Sequence, residues 1–202
     1  MNVVGLTGSI GMGKSTTAEM FRRFGVPVHD SDGAVHRLYN GPGALAVEAM
    51  FPGVVEAGRV NRTILAQRVL GNPGELKKLQ DLIHPLVADD RDNFLVAARN
   101  RGESTVVLDI PLLFEIGGLG SVDVIVVVSA PEDVQKSRVL AREGMTVEKF
   151  AAIMARQVPD AMKRRACHFL VDTGRGLGPA EAQVRALLKS LRFRRNIRDL
   201  HA

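Results

Sequence analysis

The residues Gly8-Ser9-Ile10-Gly11-Met12-Gly13-Lys14-Ser15 fit the pattern G-x-x-x-x-G-K-[ST]. An apolar stretch, Asn2 to Thr7, precedes them and predicts a buried strand, while Ser15 to Phe24 carries apolar residues at helical spacing. Glycines between a strand and a helix let the backbone curl so that its N–H groups converge on an anion. A glycine-rich turn that binds nothing is the alternative, but motif, strand and helix agree. The stretch therefore predicts a loop that binds a nucleoside triphosphate.

Individual residues of this phosphate loop have distinct expected roles. Lys14 should reach the β- and γ-phosphates, and the hydroxyl of Ser15 should complete the coordination of a magnesium ion. The residues predicted to contact ATP are Gly8, Gly11, Met12, Gly13, Lys14, Ser15 and Thr16.

Composition limits the class of protein. A chain of 202 residues with 46% hydrophobic and 24% charged residues is typical of a soluble domain with an inserted or appended lobe. No apolar run approaches the roughly 20 residues that span a bilayer. We therefore expect no membrane partner. One cysteine, Cys167, excludes an internal disulfide and fits a reducing compartment, so we expect a cytoplasmic protein. The net charge of +5 suits either a nucleic acid or a pocket for several phosphates, and the total alone does not decide.

Strand and helix patterns alternate beyond the loop. Apolar runs at 104–110 and 122–128 lack polar alternation, which indicates strands of a sheet covered on both faces. With the strand at 2–7, a short one within 25–30 and another at 169–172, they predict about five strands. The expected fold class is α/β, a doubly wound parallel sheet of the P-loop NTPase type.

Two stretches exceed what crossovers between parallel strands need. From Ala44 to Arg101 the pattern is almost wholly helical, and Pro85 should kink or split its last helix. We interpret 31–103 as a helical substrate lobe. Residues 131–165 concentrate cations around Gly144, a possible hinge, and are interpreted as a helical lid. The nucleotide-binding core is then formed by 1–30, 104–130 and 166–202.

Aspartates follow two of the predicted strands. Asp30 and Asp32 are two apart, so in an extended chain their side chains point the same way. One could accept a proton from an attacking hydroxyl and the other could orient metal-bound water, or a residue of 30–32 could simply cap the next helix. We expect one of the three to cap it and assign the functional role to Asp32. Asp109 ends a strand where such folds hold an acid near magnesium, although a surface aspartate is the alternative.

Four further side chains are candidates for substrate binding. Arg138 and Arg142 are four apart on one helix face, where they could meet transition-state charge or remain solvated. Glu115 could bind substrate or stabilise a helix N-terminus. His84 could bind substrate or be structural.

Taken together, these motifs resemble the dephospho-coenzyme A kinase family. The phosphate loop is widely shared, but Leu82-Ile83-His84-Pro85-Leu86 and Asp109-Ile110-Pro111-Leu112-Leu113-Phe114-Glu115 are far more specific. The resemblance covers nearly the whole chain up to about Gly174. It also includes Asp30-Ser31-Asp32 with His36, Arg138, Arg142, Arg156-Gln157 and Val171-Asp172-Thr173-Gly174.

The resemblance implies an enzyme that transfers the γ-phosphoryl group of ATP, with magnesium, to the ribose 3′-hydroxyl of dephospho-coenzyme A. It implies that Asp32 is the base, that Lys14 and Arg142 stabilise the migrating charge, and that magnesium is held by Ser15, with Asp109 near it. The departures of this chain from the family pattern, at Cys167-His168 and Thr173, lie near the implied adenine end. The residues implied to line the acceptor site are Asp32, His84, Leu113, Glu115, Arg138, Arg142 and Gln157.

Two other functions fit part of the pattern. Another P-loop small-molecule kinase, such as a nucleoside monophosphate kinase, would share the core but not the His84-Pro85-Leu86 segment. A nucleotide-controlled switch would explain Asp30-x-x-Gly33, yet the sequence has no Asn-Lys-x-Asp guanine-binding motif. The basic run Lys189–Arg198 suits a solvated helix end or, without support, RNA binding. We expect a small-molecule partner, no nucleic acid and a monomer.

Overall fold

The alternation of apolar strands and amphipathic helices appears in the structure, a computed structural model that describes the backbone of residues 1–200 and the side chains of residues 1–192. The strands are β1 Asn2–Thr7, β2 Val28–Asp30, β3 Val55–Glu56, β4 Arg59–Val60, β5 Thr105–Asp109, β6 Val124–Ser129 and β7 Phe169–Asp172. The helices are α1 Lys14–Arg23, α2 Ser31–Tyr39, α3 Gly43–Met50, α4 Arg62–Val69, α5 Pro73–Asn100, α6 Glu132–Leu140, α7 Val147–Met154, α8 Asp160–Ala166 and α9 Leu177–Leu200. A 3-10 turn spans Gly118–Ser121.

A five-stranded sheet organises the first of two compact units, which comprises Met1–His29 and the chain from Ala98 onward. Its strand order is β2-β5-β1-β6-β7, and β1 pairs in parallel with both β5 and β6. Every residue of β5 and β6 is buried. This accounts for the unbroken apolar runs, because helices cover both faces of such a sheet. The predicted α/β class is confirmed.

Two clusters of buried side chains hold this unit together. On one side, Phe21 of α1 packs in a cluster with strand residues and with Val184 and Leu191 of α9. On the other, Leu113 packs with Ile125 and Val127 of β6. Leu113 is fully buried and lies so close to β1 that a Cβ on Gly5 would stand 2.9 Å from its Cδ2. Buried side chains therefore pack against both faces of β1, the strand that leads into the phosphate loop.

The second unit, Asp30–Ala97, is largely helical and has its own core around Val47, Phe51 and Val54. The prediction of an almost wholly helical region was wrong in one place, because β3 and β4 form a small antiparallel hairpin. Each of its strands has two residues, too few to show a period of two. The side chain of Glu48 closes the turn before it, accepting the backbone N–H groups of residues 53, 54 and 55.

Of the two outcomes predicted for Pro85, a split is wrong, and a kink stays a prediction. Pro85 lies inside α5 without splitting it. A proline there leaves the carbonyl of residue 81 without its helical donor, and since both positions are exposed, water can replace the donor. The closing helix α9 starts at Leu177. Most of the basic run predicted to be solvated or to bind RNA, 189–198, lies outside the described side chains.

The predicted division into core, lobe and lid stays a prediction, although the structure separates the two units given above. Over the described residues, each helix is too short or too polar to span a bilayer.

Phe21→Ala should lower the free energy of unfolding by about 3–5 kcal/mol, because it leaves a cavity in the cluster between the sheet and α9. Urea denaturation followed by circular dichroism measures the loss. Ile116→Ala, which truncates a side chain that is 65% exposed, should change the same quantity by less than about 0.5 kcal/mol. Equal losses in the two variants would contradict the assignment of Phe21 to the core.

Candidate active site

The turn between β1 and α1 has a backbone that only glycine suits at several positions. Gly11 and Gly13 have φ values of +79° and +91°. A Cβ on Gly8 would lie 2.7 Å from the carbonyl oxygen of Val128, so β6 passes directly against the loop. Gly13 is also the N-cap of α1, and no side chain caps this helix. The first N–H groups of α1 therefore stay available for an anion.

The loop is held by hydrogen bonds from its far side. Gln157 Oε1 accepts the Ile10 N–H at 3.1 Å, and the side-chain amide of Gln135 donates to the Ile10 carbonyl oxygen at 2.7 Å. The hydroxyl of Thr173 donates to the carbonyl oxygen of Met12 at 2.7 Å. These three anchors come from α6, from the chain after α7 and from the end of β7, so the loop conformation depends on the folded first unit.

Lys14 and Asp109 form an ion pair that the sequence analysis did not predict. The Lys14 ammonium lies 2.5 Å from Asp109 Oδ1, and their side chains are 15% and 6% exposed. Parallel pairing of β1 and β5 places Leu6 opposite Asp109 and brings the end of β5 beside the loop. The ammonium of Lys14 is therefore already positioned beside the loop, where an anionic phosphate could contact it.

A cavity of about 340 Å³ adjoins the loop. Its size falls at the lower end of the range for small-molecule sites. Arg138 donates two hydrogen bonds to Thr173, at 3.0 Å to the hydroxyl and 2.9 Å to the carbonyl oxygen. Two guanidinium groups beside an anion-binding loop make the cavity suited to a nucleotide. It is lined by Gly11, Gly13, Thr16, Thr17, Met20, Arg138, Arg142, Thr173, Gly176, Leu177 and Ala180.

Glu115 forms a buried ion pair rather than capping a helix. Its Oε1 lies 2.9 Å from the ammonium of Lys163 and accepts the Val158 N–H at 2.8 Å. Burial alone would raise the pKa of Glu115, but the hydrogen bonds from Lys163 and from the backbone outweigh it and lower the pKa below its ordinary value. The carboxylate is therefore ionised at neutral pH. No helix starts at Glu115, so the helix-dipole alternative was wrong.

Three of the predicted residues, Asp30, Asp32 and His84, lie in the second unit. Asp30 caps α2, since its Oδ1 accepts the Gly33 N–H at 3.0 Å, which confirms that one of residues 30–32 is the cap. Asp32 is exposed in the first turn of α2. Its carboxylate makes no hydrogen bond or ion pair with any side chain that the structure describes. His84 is exposed on α5.

Several predicted acceptor residues make contacts that the sequence did not indicate. Leu113 packs in the core, Gln157 holds the phosphate loop, and Arg138 lines the cavity beside that loop. Sequence reasoning missed Gln135 altogether and treated Lys163 as one of several lid cations. A signal for Gln135 was its position in the helix, four residues before Val139, which is also buried.

Oxygen donors rather than a metal-binding cluster characterise the loop. The part of the chain with described side chains contains no group of three or more His, Cys, Asp or Glu residues placed to hold a metal ion. Magnesium at a nucleotide usually takes one or two protein oxygens, with water and phosphate completing the shell. The exposed hydroxyl of Ser15 and the carboxylate of Asp109 fit that donor set.

The chain is similar over nearly its whole length to proteins of one family. A family model described as dephospho-CoA kinase matches residues 2–177. A dephospho-CoA kinase of Mesorhizobium japonicum is 61% identical over 195 residues, which are 96% of this chain and 99% of that protein. The crystal structure of TT1252 from Thermus thermophilus has a TM-score of 0.79 at 33% identity, over 94% of this chain and 97% of that one. Dephospho-CoA kinase from Campylobacter jejuni shares the fold, with a TM-score of 0.69 at 19% identity over 94% and 97%.

Thr173→Val should weaken the binding of a non-hydrolysable ATP analogue about tenfold, because the Met12 carbonyl loses its donor and Arg138 loses one acceptor. Isothermal titration calorimetry measures the affinity. The matched control is Thr63→Val, an exposed threonine on α4, which should bind like the unsubstituted protein. Unchanged affinity in Thr173→Val, in a protein that melts normally, would show that this anchor does not shape the nucleotide site.

Proposed function

The chain belongs to the dephospho-CoA kinase family, and from that premise we propose how its own residues carry out the reaction. The enzyme uses ATP to phosphorylate the ribose 3′-hydroxyl of dephospho-CoA, which yields CoA and ADP in the last step of CoA synthesis. One observation supports the assignment of roles above all others. The ammonium of Lys14, at the start of α1, is held by Asp109 beside a loop whose N–H groups await an anion.

Lys14 grips the outer phosphates of ATP. Its side chain keeps some exposure, so its ammonium can contact a phosphate oxygen while Asp109 continues to orient it. The N–H groups at the start of α1 bind the same phosphates, and both contributions are in place before the nucleotide arrives. Ser15 and Asp109 would hold a magnesium ion, which would supply neutralisation of the phosphate charge.

Arg138 and Arg142 have different roles in this proposal, although both line the cavity. Arg138 is anchored twice on Thr173, so we assign it to positioning the nucleotide in the cavity rather than to the acceptor. Arg142 is exposed, and its guanidinium makes no hydrogen bond with any group that the structure describes. It is therefore free to follow the phosphoryl group and to stabilise the charge that spreads over its oxygens. The lid role proposed for 131–165 agrees with this division.

Asp32 is the general base in this proposal. Because Asp30 already caps α2, the carboxylate of Asp32 is left for the acceptor hydroxyl. A base must reach the proton that it removes, and an exposed carboxylate with no described partner can do so once the acceptor is bound. His84, also exposed, binds the acceptor. Glu115 and Gln157 contribute to the site by holding the loop and the chain after α7, as their contacts support.

The surroundings of the enzyme are part of the same proposal. We assign it to the cytoplasm, as a monomer whose partner is the small-molecule acceptor and not a nucleic acid. Its cations near the phosphate loop suit a polyanionic nucleotide, which gives the positive net charge a use at the active site.

Transfer of label from γ-labelled ATP tests the function directly. The purified protein should label dephospho-CoA, leave AMP unlabelled and release little free phosphate without an acceptor. Lys14→Met should abolish transfer, because positioning and electrostatics supply nearly all catalysis of phosphoryl transfer. Label on AMP would indicate a nucleoside monophosphate kinase, and slow hydrolysis alone would indicate a switch.

Asp32→Asn should retain ATP affinity but lose a factor of about 10²–10⁴ in kcat, since an amide cannot accept the hydroxyl proton. The measurement is a steady-state assay at saturating ATP and dephospho-CoA. Asp89→Asn provides the control, because Asp89 is an exposed aspartate of the same unit, on α5. Turnover by Asp32→Asn at the rate of this control would remove Asp32 as the base.

A further inference from the structure

Lys163 of α8 has a side chain with no exposure at all. Its ammonium lies 2.9 Å from Glu115 Oε1 and 3.3 Å from the hydroxyl oxygen of Ser9, in the phosphate loop. Lysine is almost never fully buried unless it is paired, because its charge must be taken out of water. Two neighbouring positions of the same helix, Arg164 and Arg165, leave their side chains exposed. The burial of Lys163 therefore reflects its specific partners and not a general property of α8.

The contacts of Lys163 lead to two consecutive residues of the phosphate loop. The first link is direct, from the ammonium to Ser9. The second runs through Glu115, which accepts the Val158 N–H, and the adjoining Gln157 accepts the Ile10 N–H. These contacts hold the loop just before Gly11, where its backbone turns left-handed.

A simple structural ion pair does not account for the whole arrangement. A buried pair can commonly be replaced by apolar groups without loss of stability. Here Glu115 Oε2 is buried and has no hydrogen-bond partner among the described groups, so the carboxylate is not fully satisfied by its surroundings. The ammonium of Lys163, in contrast, also donates a hydrogen bond to the hydroxyl oxygen of Ser9. That contact adds nothing to neutralising Glu115, but it fixes the second residue of the loop.

We propose that Lys163 is a positioning residue of the kinase reaction: through Ser9 and Glu115 it sets the phosphate loop in the conformation that binds ATP. Lys163 does not touch the phosphates, because its ammonium is enclosed by protein. Its effect is therefore on the affinity for ATP and the alignment of the γ-phosphate. The inference rests on the phosphate-binding role proposed above for the loop.

Two variants separate positioning from charge pairing. Lys163→Met leaves Glu115 charged and unpaired, so it should lower the melting temperature as well as ATP binding. The double variant Lys163→Met with Glu115→Gln removes both charges and should recover most of the melting temperature. If Lys163 positions the loop, the double variant still shows a KM for ATP raised between about tenfold and a hundredfold. In Ser9→Ala, which leaves Glu115 unchanged, the KM for dephospho-CoA should stay within about twofold of the unsubstituted value, since the loop binds only the nucleotide.

Further variants keep the test decisive. Ser9→Ala leaves the ion pair intact and removes only the loop contact, so it should raise the KM for ATP without lowering the melting temperature. Lys163→Arg, which retains the charge, should recover part of the ATP affinity. Lys77→Met removes an exposed lysine, 74% accessible, and should change nothing. The proposal is overturned if the KM for ATP is unchanged both in the double variant and in Ser9→Ala. Lys163 would then serve only the ion pair with Glu115. The transfer reaction is tested on the unsubstituted enzyme. A negative result with these variants would therefore leave the proposed function unaffected.

Discussion

A phosphate-binding loop must keep some of its N–H groups free of protein partners and still hold one shape. In this protein the loop after β1 meets both demands because side chains of later segments form hydrogen bonds with its backbone at Ile10 and Met12. The Ile10 N–H and carbonyl oxygen, and the Met12 carbonyl oxygen, are taken up by side chains, whereas the N-terminus of α1 has no side-chain cap. The groups that define the loop are thus satisfied, and those that bind phosphate are left open.

This arrangement couples the loop to the nucleotide cavity. Thr173 donates to the loop at Met12 and accepts from Arg138, which lines the cavity. A displacement of β7 would therefore change the loop and the cavity together. Gln135 has the same double position, since it holds Ile10 from a helix that also carries Arg138, a residue of the cavity lining, near its end. The same segments therefore shape the loop and line the cavity beside it.

The sequence was sufficient where chemistry is encoded locally. The strand–loop–helix around Lys14, the acid at the end of β5 and the cap at the start of α2 all follow from short motifs. The sequence was insufficient where a contact joins distant segments. Gln135 and Lys163 lie more than a hundred residues from the loop that they contact, and although the position of Gln135 four residues before Val139 indicates burial, it does not indicate which segment Gln135 contacts. The β3–β4 hairpin was missed for another reason, because two-residue strands carry no periodicity.

The two lysines at the loop show how burial separates roles that charge alone would make equal. Lys14 and Lys163 each face one carboxylate, at 2.5 Å and 2.9 Å. The side chain of Lys14 is 15% exposed, so a ligand beside the loop could still contact its ammonium. The side chain of Lys163 has no exposure, and drawing it away would strand Glu115 in the interior, at a cost that a bound nucleotide would not repay. Exposure therefore separates a lysine that a ligand can reach from one that only the protein contacts.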